Sequence, residues 1–243
     1  EPRQTRDHTE MMLSYLKVPV LIEDLSVTVF PCPDLPGGSW AIPGDFSASA
    51  FWLVAGSILP GSDILIRASG VNPTRTGALD VLRRMGADIT LEYPRTSGGE
   101  PVADIHVKAS ALRGVEIGEE EIPSLVDELP VLAVAATQAE GTTIVRGAAE
   151  LRVKECDRIR AMAEGLSALG AHVTERPDGW EIQGPVRLKG GKVRSFGDHR
   201  IAMALSIAAL TAGSAVEIDD PSCVSISYPL FFETLEAVSS GGI

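Results

Sequence analysis

The sequence has few of the residues that build disulfide frameworks and metal sites. Its 243 residues include three cysteines, at positions 32, 156 and 223, and no two of them form a Cys-x-x-Cys pair. Such widely spaced cysteines favour reduced thiols in the cytoplasm over disulfides or a zinc site. The four histidines also lack the spacing of metal ligands. We therefore expect no metal and no cofactor.

The chain is also poor in long hydrophobic runs and in positive charge. No apolar stretch approaches the roughly 18 residues that a membrane span needs, and the charged residues 1–10 do not resemble a signal peptide. The 21 Lys and Arg against 33 Asp and Glu give a formal net charge of −12. This balance disfavours nucleic acid or an anionic membrane as the main partner. A basic pocket stays compatible with it, because local charges set the field inside a cleft.

Aromatic residues are scarce, at 5%, whereas apolar residues make up 44% of the chain and glycine occurs 24 times. This composition is typical of a globular protein that is rich in small-residue helices. The length fits one large domain or two small ones.

A unit of common design occurs three times along the chain. In each copy an Asp leads an Ala-rich apolar helix, which ends at a Gly and is followed by a β-branched strand; the copies are residues 45–67, 127–146 and 198–218. Each copy then has a second helix, at 76–85, 156–169 and 229–238. Closing strands follow the first two copies, at 87–92 and 104–109 and at 171–175 and 179–183. The predicted fold class is therefore α/β, built from repeated βαβαββ units.

The residues before Asp45 match only the later part of such a unit. Residues 5–16 indicate a second helix, and 18–23 and 25–30 indicate closing strands. This pattern predicts that sequence is missing in front of the chain. The Pro- and Gly-rich residues 31–38 then indicate a domain boundary near 42–45, with a first-domain remnant at 1–43 and a second domain at 44–243.

Residues 151–160 concentrate charge ahead of an apolar helical pattern. We expect a helix to open in this stretch and run to Gly170. Lys154 and Arg158 would share one side of its first turns, and Glu155 could pair with Arg158 three residues on. Two cations and a carboxylate at a helix start can bind an anion and exchange a proton. The alternative is a solvated helix start without function.

The three Asp residues that lead the repeats occupy equivalent positions. If the Ala-rich helices pack together, Asp45, Asp127 and Asp198 lie near one end of the domain, beside unpaired backbone N–H groups. The alternative for each is a helix N-cap.

Five motifs of this chain resemble those of the 5-enolpyruvylshikimate-3-phosphate (EPSP) synthase family (3-phosphoshikimate 1-carboxyvinyltransferases). They are LRVKECDR at 151–158, GDHRIAM at 197–203, VNPTRTG at 71–77, GDFSASA at 44–50 and TRDHTE at 5–10, in that family's order. The residues of the motifs at 5–10 and 71–77 most resemble those of the bacterial class that tolerates the herbicide glyphosate. The resemblance implies a two-domain, inside-out α/β barrel of six repeats, about twice as long as this chain.

The resemblance also implies a reaction and its residues. The enolpyruvyl group of phosphoenolpyruvate would move to the 5-hydroxyl of shikimate 3-phosphate, in a cytoplasmic monomer of the shikimate pathway that is completed by the missing N-terminal part. Asp127 would accept a proton, Lys154 would lie between the substrates, and Glu155 would exchange a proton at the enol carbon. The residues that would bind the two substrates are Arg6, Asp127, Lys154, Arg158, His199 and Arg200.

Two departures and two rivals accompany this resemblance. Glu150 stands where many members have Asn, and Ile226 or Ser227 stands where many have a Lys that contacts phosphoenolpyruvate.

One rival is a UDP-N-acetylglucosamine enolpyruvyl transferase, which shares the fold but relies on a loop Cys; nothing beside Cys156 would activate a thiolate. The other is a catalytically silent, anion-binding half.

Overall fold

The computed structural model describes residues 4–35, 37 and 39–240, in which helices and strands alternate. No helix of these residues is both long and apolar enough to cross a membrane. The α-helices are α1 (His8–Tyr15), α2 (Phe46–Ile58), α3 (Gly77–Arg84), α4 (Leu129–Gln138), α5 (Arg158–Ala168), α6 (His199–Ala209) and α7 (Phe231–Ser239). The strands are β1 (Val20–Glu23), β2 (Ser26–Val29), β3 (Asp63–Gly70), β4 (Asp88–Ser97), β5 (Glu100–Lys108), β6 (Glu116–Ile117), β7 (Gly141–Val145), β8 (His172–Arg176), β9 (Gly179–Gly184), β10 (Gly191–Val193) and β11 (Val216–Ile218).

The core consists of helices packed against one another. Helices α2, α4 and α6 contact each other, and α5 packs against α4 and α6. Eleven of the 13 residues of α2 are buried, because this helix is apolar or small on every side. The sheets lie around this helical core, and strands such as β3 alternate between exposed and partly buried residues. Helices inside and strands outside make an inside-out α/β architecture, as expected.

The sheet topology confirms the repeated unit. Strand β6 pairs in parallel with β7, and β10 pairs in parallel with β11, so a strand before each core helix adjoins the strand after it. In the first unit a parallel bridge between Gly44 and Ser69 takes the same place. Antiparallel strands close the first two units, in the orders β3-β5-β4 and β6-β7-β9-β8. The three predicted core helices and their following strands are all present.

The structure corrects the predicted helix opening at residues 151–160. Residues Ala149–Val153 form a 3₁₀ turn, Lys154 is extended, and the α-helix begins only at Arg158. Asp157 sets this start, since its side chain accepts a hydrogen bond from the backbone N–H of Arg160 at 3.0 Å. Lys154 and Glu155 therefore lie in the connection that precedes α5.

A glycine lets α5 and α6 approach closely. A Cβ at Gly165 would lie 2.9 Å from a methyl carbon of Leu205, a distance that real Cβ contacts do not show. Because Gly165 has no side chain, the two helices can pack closely, which brings the residues at their starts near each other.

The described residues between 4 and 43 include a small helix and a hairpin, and they contact the first unit. Helix α1 and strands β1 and β2 are shorter than predicted but fall within the predicted segments. Asn72 donates to Asp7 at 2.7 Å, His8 pairs with Glu100 at 2.7 Å, and Ser97 donates to a backbone carbonyl of this segment at 2.9 Å. These contacts place the start of the described chain beside β4, β5 and the connection that precedes α3.

Candidate functional site

The starts of α4, α5 and α6 meet at the side chain of Arg158. This arginine is the first residue of α5 and donates through Nε to Asp198 Oδ2 at 2.8 Å. Its Nη1 lies 3.4 Å from Asp127 Oδ1, and its Nη2 donates to Glu155 at 2.6 Å. One guanidinium therefore links the residues that precede all three helices.

Arg158 is almost completely enclosed by these carboxylates. Its side chain is 1% exposed, and Asp198 is fully buried beside it. Burial opposes the charge of Arg158, but the hydrogen bond and charge of Asp198 outweigh burial and raise the pKa of the guanidinium. The predicted pair of Glu155 with Arg158 is confirmed, although Glu155 lies ahead of the helix and is half exposed.

Arg200 occupies the corresponding place at the start of α6. Its Nη1 donates to the backbone carbonyl of Asp127 at 3.1 Å, and its Nη2 lies 3.9 Å from Asp127 Oδ2. Its third contact is a carboxylate oxygen of Glu128, 3.7 Å from Nη1. The side chain is 16% exposed, so this arginine keeps an open edge that Arg158 lacks.

Asp127 lies at the centre of the site, among three arginines. Arg6 reaches it from the N-terminal segment with a 2.5 Å ion pair, and Arg158 and Arg200 approach from α5 and α6. Burial of Asp127 acts to raise its pKa, but the charges of Arg200, Arg6 and Arg158 together outweigh burial and lower it. Asp127 is therefore ionised at neutral pH, and it can accept a proton or a hydrogen bond but not donate one.

The three Asp residues that lead the repeats divide into two kinds. Asp45 and Asp198 are helix N-caps, which accept hydrogen bonds from the backbone N–H groups of Ser47 and Arg200. Asp127 is not in the capping position, which Glu128 occupies before α4, and no side chain of the described residues caps this helix. The capping alternative therefore describes Asp45 and Asp198, whereas the side chain of Asp127 faces the arginines.

Lys154 and His199 lie beside the cluster rather than within it. Lys154 forms an ion pair with Glu150 four residues earlier, and its side chain is 25% exposed. His199 is partly buried, and burial followed by the charge of Arg200 lowers its pKa, so its imidazole is neutral at pH 7. Among the predicted site residues, the structure thus joins Arg6, Asp127, Glu155, Arg158 and Arg200 through direct contacts and leaves Lys154 and His199 at the margin.

Sequence reasoning missed a buried carboxylate beneath Arg200. The side chain of Glu128 is fully buried, and its Oε1 accepts from Ser47 Oγ and lies 3.4 Å from Arg75 Nη2. Burial raises the pKa of Glu128 above its usual value. No local pattern in the sequence signals this burial, because Ser47 and Arg75 lie 81 and 53 residues away along the chain.

Cys156 does not have the properties of a nucleophile. Burial, followed by the negative charge of Asp198, raises the pKa of its thiol to about 12. A thiol with this pKa stays protonated at neutral pH, and the reactive form of cysteine is the thiolate.

The face of the site that carries Arg6, Lys154 and Glu155 is open to solvent, since these side chains are between 25% and 53% exposed. A cavity of about 670 Å³ is lined by Arg6 and other residues of the N-terminal segment, but not by Asp127, Arg158 or Arg200. Chemically, the arrangement offers partly exposed cations for anions, one ionised carboxylate as a proton acceptor, and one half-exposed carboxylate for proton exchange.

Comparison with solved structures defines the class of the fold. The chain superposes on the enolpyruvyl transferase NikO from Streptomyces tendae with a TM-score of 0.69 over 97% of this chain and 53% of that chain, at 19% identity. It superposes on EPSP synthase from Acinetobacter baumannii with a TM-score of 0.94, at 42% identity, over 98% of this chain and 55% of that chain. The architecture is thus that of the enolpyruvyl transferases.

Sequence comparison then gives the family. A profile of EPSP synthase (3-phosphoshikimate 1-carboxyvinyltransferase) matches residues 2–235, and the chain belongs to this family. Relatives named 3-phosphoshikimate 1-carboxyvinyltransferase include those of Desulforudis audaxviator, 54% identical over 98% of this chain and 56% of the relative, and Gloeobacter violaceus, 52% identical over 98% and 55%. The chain spans about half the length of these relatives.

Proposed function

We propose that this chain forms one wall of the active site of a 3-phosphoshikimate 1-carboxyvinyltransferase. The enolpyruvyl group of phosphoenolpyruvate would move to the 5-hydroxyl of shikimate 3-phosphate, with release of phosphate. Family membership over residues 2–235 supports this reaction. The other wall would come from the portion of the relatives that this chain does not cover.

The observation that carries the proposal is the position of Asp127 among three arginines from separate parts of the chain. Both substrates are polyanions, so several cations must converge to hold them and to offset their mutual repulsion. The attacking hydroxyl must lose a proton, and an ionised carboxylate in the same place can accept it. Arg6, Arg158 and Arg200 around Asp127 combine these two requirements.

The proton transfers divide between the two carboxylates. Asp127 accepts the proton of the 5-hydroxyl of shikimate 3-phosphate. The hydroxyl oxygen bonds at the same time to C2 of phosphoenolpyruvate. Glu155 exchanges a proton with the methylene carbon C3, which becomes a methyl group in the tetrahedral intermediate. Phosphate then leaves from C2 with the proton that Asp127 holds, and Glu155 takes a proton back from C3, so that the double bond is restored. The 51% exposure of Glu155 supports its part, since its proton can be replaced from solvent.

The cations divide between the two substrates. Arg200 and Arg158 would hold the carboxylate and phosphate of phosphoenolpyruvate, with a hydrogen bond from the neutral imidazole of His199. Arg6 would break its ion pair with Asp127 and bind the phosphate of shikimate 3-phosphate instead. The exposure of the Arg6 side chain allows this change of partner. Lys154, released from Glu150, would offset negative charge between the substrates.

The N-terminal segment supports the proposed second wall. Five of its large apolar side chains are between 44% and 56% exposed, on α1 and on both strands of the hairpin: Met12, Leu21, Ile22, Val27 and Val29. Exposed apolar groups in one small segment mark a surface that another part of a protein covers. We infer that 1–43 belongs to a first domain and 44–243 to a second. The complete enzyme would be a cytoplasmic monomer, and the free state of the cysteines supports this location.

The test is an assay of phosphate release from phosphoenolpyruvate and shikimate 3-phosphate. The purified chain is compared with the same chain co-expressed with the portion of the Desulforudis audaxviator relative that it does not cover. We expect no turnover by the chain alone and turnover by the pair. Phosphate release by the chain alone would contradict the need for a second wall.

The same assay separates the rival functions. Turnover by the pair with UDP-N-acetylglucosamine in place of shikimate 3-phosphate would indicate the other enolpyruvyl transferase. Binding of both substrates by a folded pair that releases no phosphate would indicate a catalytically silent, anion-binding half.

A further inference from the structure

A buried cluster of three polar side chains lies beneath Arg200. Its members are Ser47 at the start of α2, Arg75 ahead of α3, and Glu128 ahead of α4. Arg75 Nη2 donates to Ser47 Oγ at 2.7 Å, and both side chains contact the same oxygen of Glu128. The cluster thus joins three helix starts at the floor of the candidate site.

The contacts of Glu128 are concentrated on one of its two oxygens. Oε1 meets Ser47, Arg75 and Arg200, whereas Oε2 is buried and has no hydrogen-bond partner among the described residues. Arg75 Nη1 is also buried and unpartnered there. A purely structural carboxylate would be expected to use both oxygens, because an unpaired buried polar atom destabilises the fold. Here Oε1 is committed to the arginines instead.

Glu128 fixes the side of Arg200 that faces away from solvent. Arg200 Nη1 donates to the backbone carbonyl of Asp127 and lies 3.7 Å from Glu128 Oε1. Both contacts therefore hold this nitrogen on the buried side of the guanidinium. The remaining edge, with Nη2, is then turned toward the Asp127 carboxylate and the open face. Without Glu128, rotation of the guanidinium would be opposed by the backbone carbonyl of Asp127 and by the longer contact with the Asp127 carboxylate.

We propose that Glu128 is a positioning residue, which orients Arg200 for phosphoenolpyruvate, and that Ser47 and Arg75 hold Glu128 in place. Glu128 acts through Arg200 and touches no substrate. The proposal deepens the proposed function and rests on it, since the orientation of Arg200 matters to catalysis only if Arg200 holds substrate.

The first test measures the guanidinium of Arg200 directly and needs no ligand. Side-chain ¹⁵N NMR of the 243-residue chain reports how fast each guanidinium rotates, with Glu128→Gln compared with the wild type. Glutamine keeps the size of the side chain and an acceptor for Ser47 but removes the charge. We expect rotation of Arg200 to accelerate several-fold while Arg158, held by Asp198, is unchanged.

A matched control comes from an exposed pair of the same type. Arg84 Nη2 lies 2.5 Å from Glu121 Oε1, so Glu121→Gln removes a carboxylate from a different arginine. This variant should release Arg84 and leave Arg200 as in the wild type. Unchanged rotation of Arg200 in Glu128→Gln would overturn the proposal. Equal release of Arg158 and Arg200 would also overturn it, because Glu128 would then only stabilise the domain.

The second test uses the co-expressed pair and steady-state kinetics. We expect Glu128→Gln to raise KM for phosphoenolpyruvate about tenfold with a smaller change in kcat, and to add little in an Arg200→Lys background. Release of Arg200 with an unchanged KM would overturn the positioning role. If the wild-type pair shows no turnover, the proposed function fails, and the rotation measurement still decides whether Glu128 orients Arg200.

Discussion

Arg158 and Arg200 begin neighbouring core helices and differ in how they are held. Arg158 is 1% exposed and contacts three carboxylates, of Asp198, Glu155 and Asp127. Arg200 is 16% exposed, and its hydrogen bond is to a backbone carbonyl, with carboxylates only at 3.7 and 3.9 Å. The protein therefore neutralises Arg158 internally, whereas Arg200 keeps capacity to bind an external anion.

The difference in burial and contacts indicates different roles for Arg158 and Arg200. An anion that reaches Arg158 must displace Glu155 or Asp127, so binding there is coupled to movement of the proposed catalytic carboxylates. An anion that reaches Arg200 displaces only weak contacts. We infer that Arg158 connects the helix starts and responds to substrate, whereas Arg200 provides the more direct contact.

The largest expected effect comes from removing the buried partner of Arg158. Asp198→Asn keeps a helix-capping side chain but leaves the guanidinium without its fully buried carboxylate partner, and breaking a buried ion pair typically costs about 3–5 kcal/mol. Asp45→Asn is the matched control, because Asp45 caps α2 and pairs with no arginine in the described residues. Urea unfolding of both variants measures the difference. Equal stability of the two variants would contradict the role given to Arg158.

A smaller effect is expected when each arginine is replaced by lysine. Lysine cannot make the forked contacts of Arg158, so Arg158→Lys should lower the free energy of unfolding by about 2 kcal/mol. Arg200→Lys should lower it by less than about 1 kcal/mol, since its contacts are longer. Thermal or urea unfolding gives both values. A larger loss for Arg200→Lys would reverse the comparison.

A pH-dependent effect is expected from Glu128. Burial raises its pKa in the folded chain above the ordinary value of 4.5, so the unfolded chain loses this proton first as the pH rises. The contribution of Glu128 to stability is therefore fully present below pH 4.5 and is lost as the pH rises through the folded pKa. Relative to Glu128→Gln, the wild type should lose stability as the pH rises above 4.5. A difference in urea unfolding that stays constant as the pH rises would contradict the expectation.

The smallest expected effect on stability comes from the N-terminal segment. Arg6 is 53% exposed, and exposed ion pairs contribute about 0–1 kcal/mol. Arg6→Gln should therefore change the free energy of unfolding by less than about 1 kcal/mol, although it removes one of the charges that lower the pKa of Asp127. The unfolding midpoint of the chain in urea checks this. A loss as large as that of Asp198→Asn would show that the segment is part of the core.

The repeats and the ends of most elements could be predicted from the sequence because their signals are local. Apolar periodicity, Gly stops and leading Asp residues all act over a few residues. The pair of Glu155 with Arg158 is local too. The helix expected to open at residues 151–160 does open there, but only at Arg158, so Lys154 and Glu155 precede it. The apolar periodicity begins only at Ile159, and the charged residues before it had no local pattern to fix their structure.

The buried contacts could not be predicted, because they join distant parts of the chain. Arg6 and Asp127 are 121 residues apart, and Ser47 and Glu128 are 81 apart. Adjacent carboxylates at 127 and 128 gave no sign that one faces three arginines and the other is buried beneath them. The ion pair of Lys154 with Glu150 was readable from its spacing of four residues, and it is a contact that substrates would have to break.

The most direct test of the central claim is the turnover of Asp127→Asn in the co-expressed pair, with phosphoenolpyruvate and shikimate 3-phosphate. Asparagine keeps the shape of the side chain but cannot accept the proton of the 5-hydroxyl. The account predicts that kcat falls by a factor of about 10²–10⁴ relative to the wild-type pair, with the fold intact. A kcat within a few-fold of the wild type would contradict the claim that Asp127 is the proton acceptor at the centre of this site.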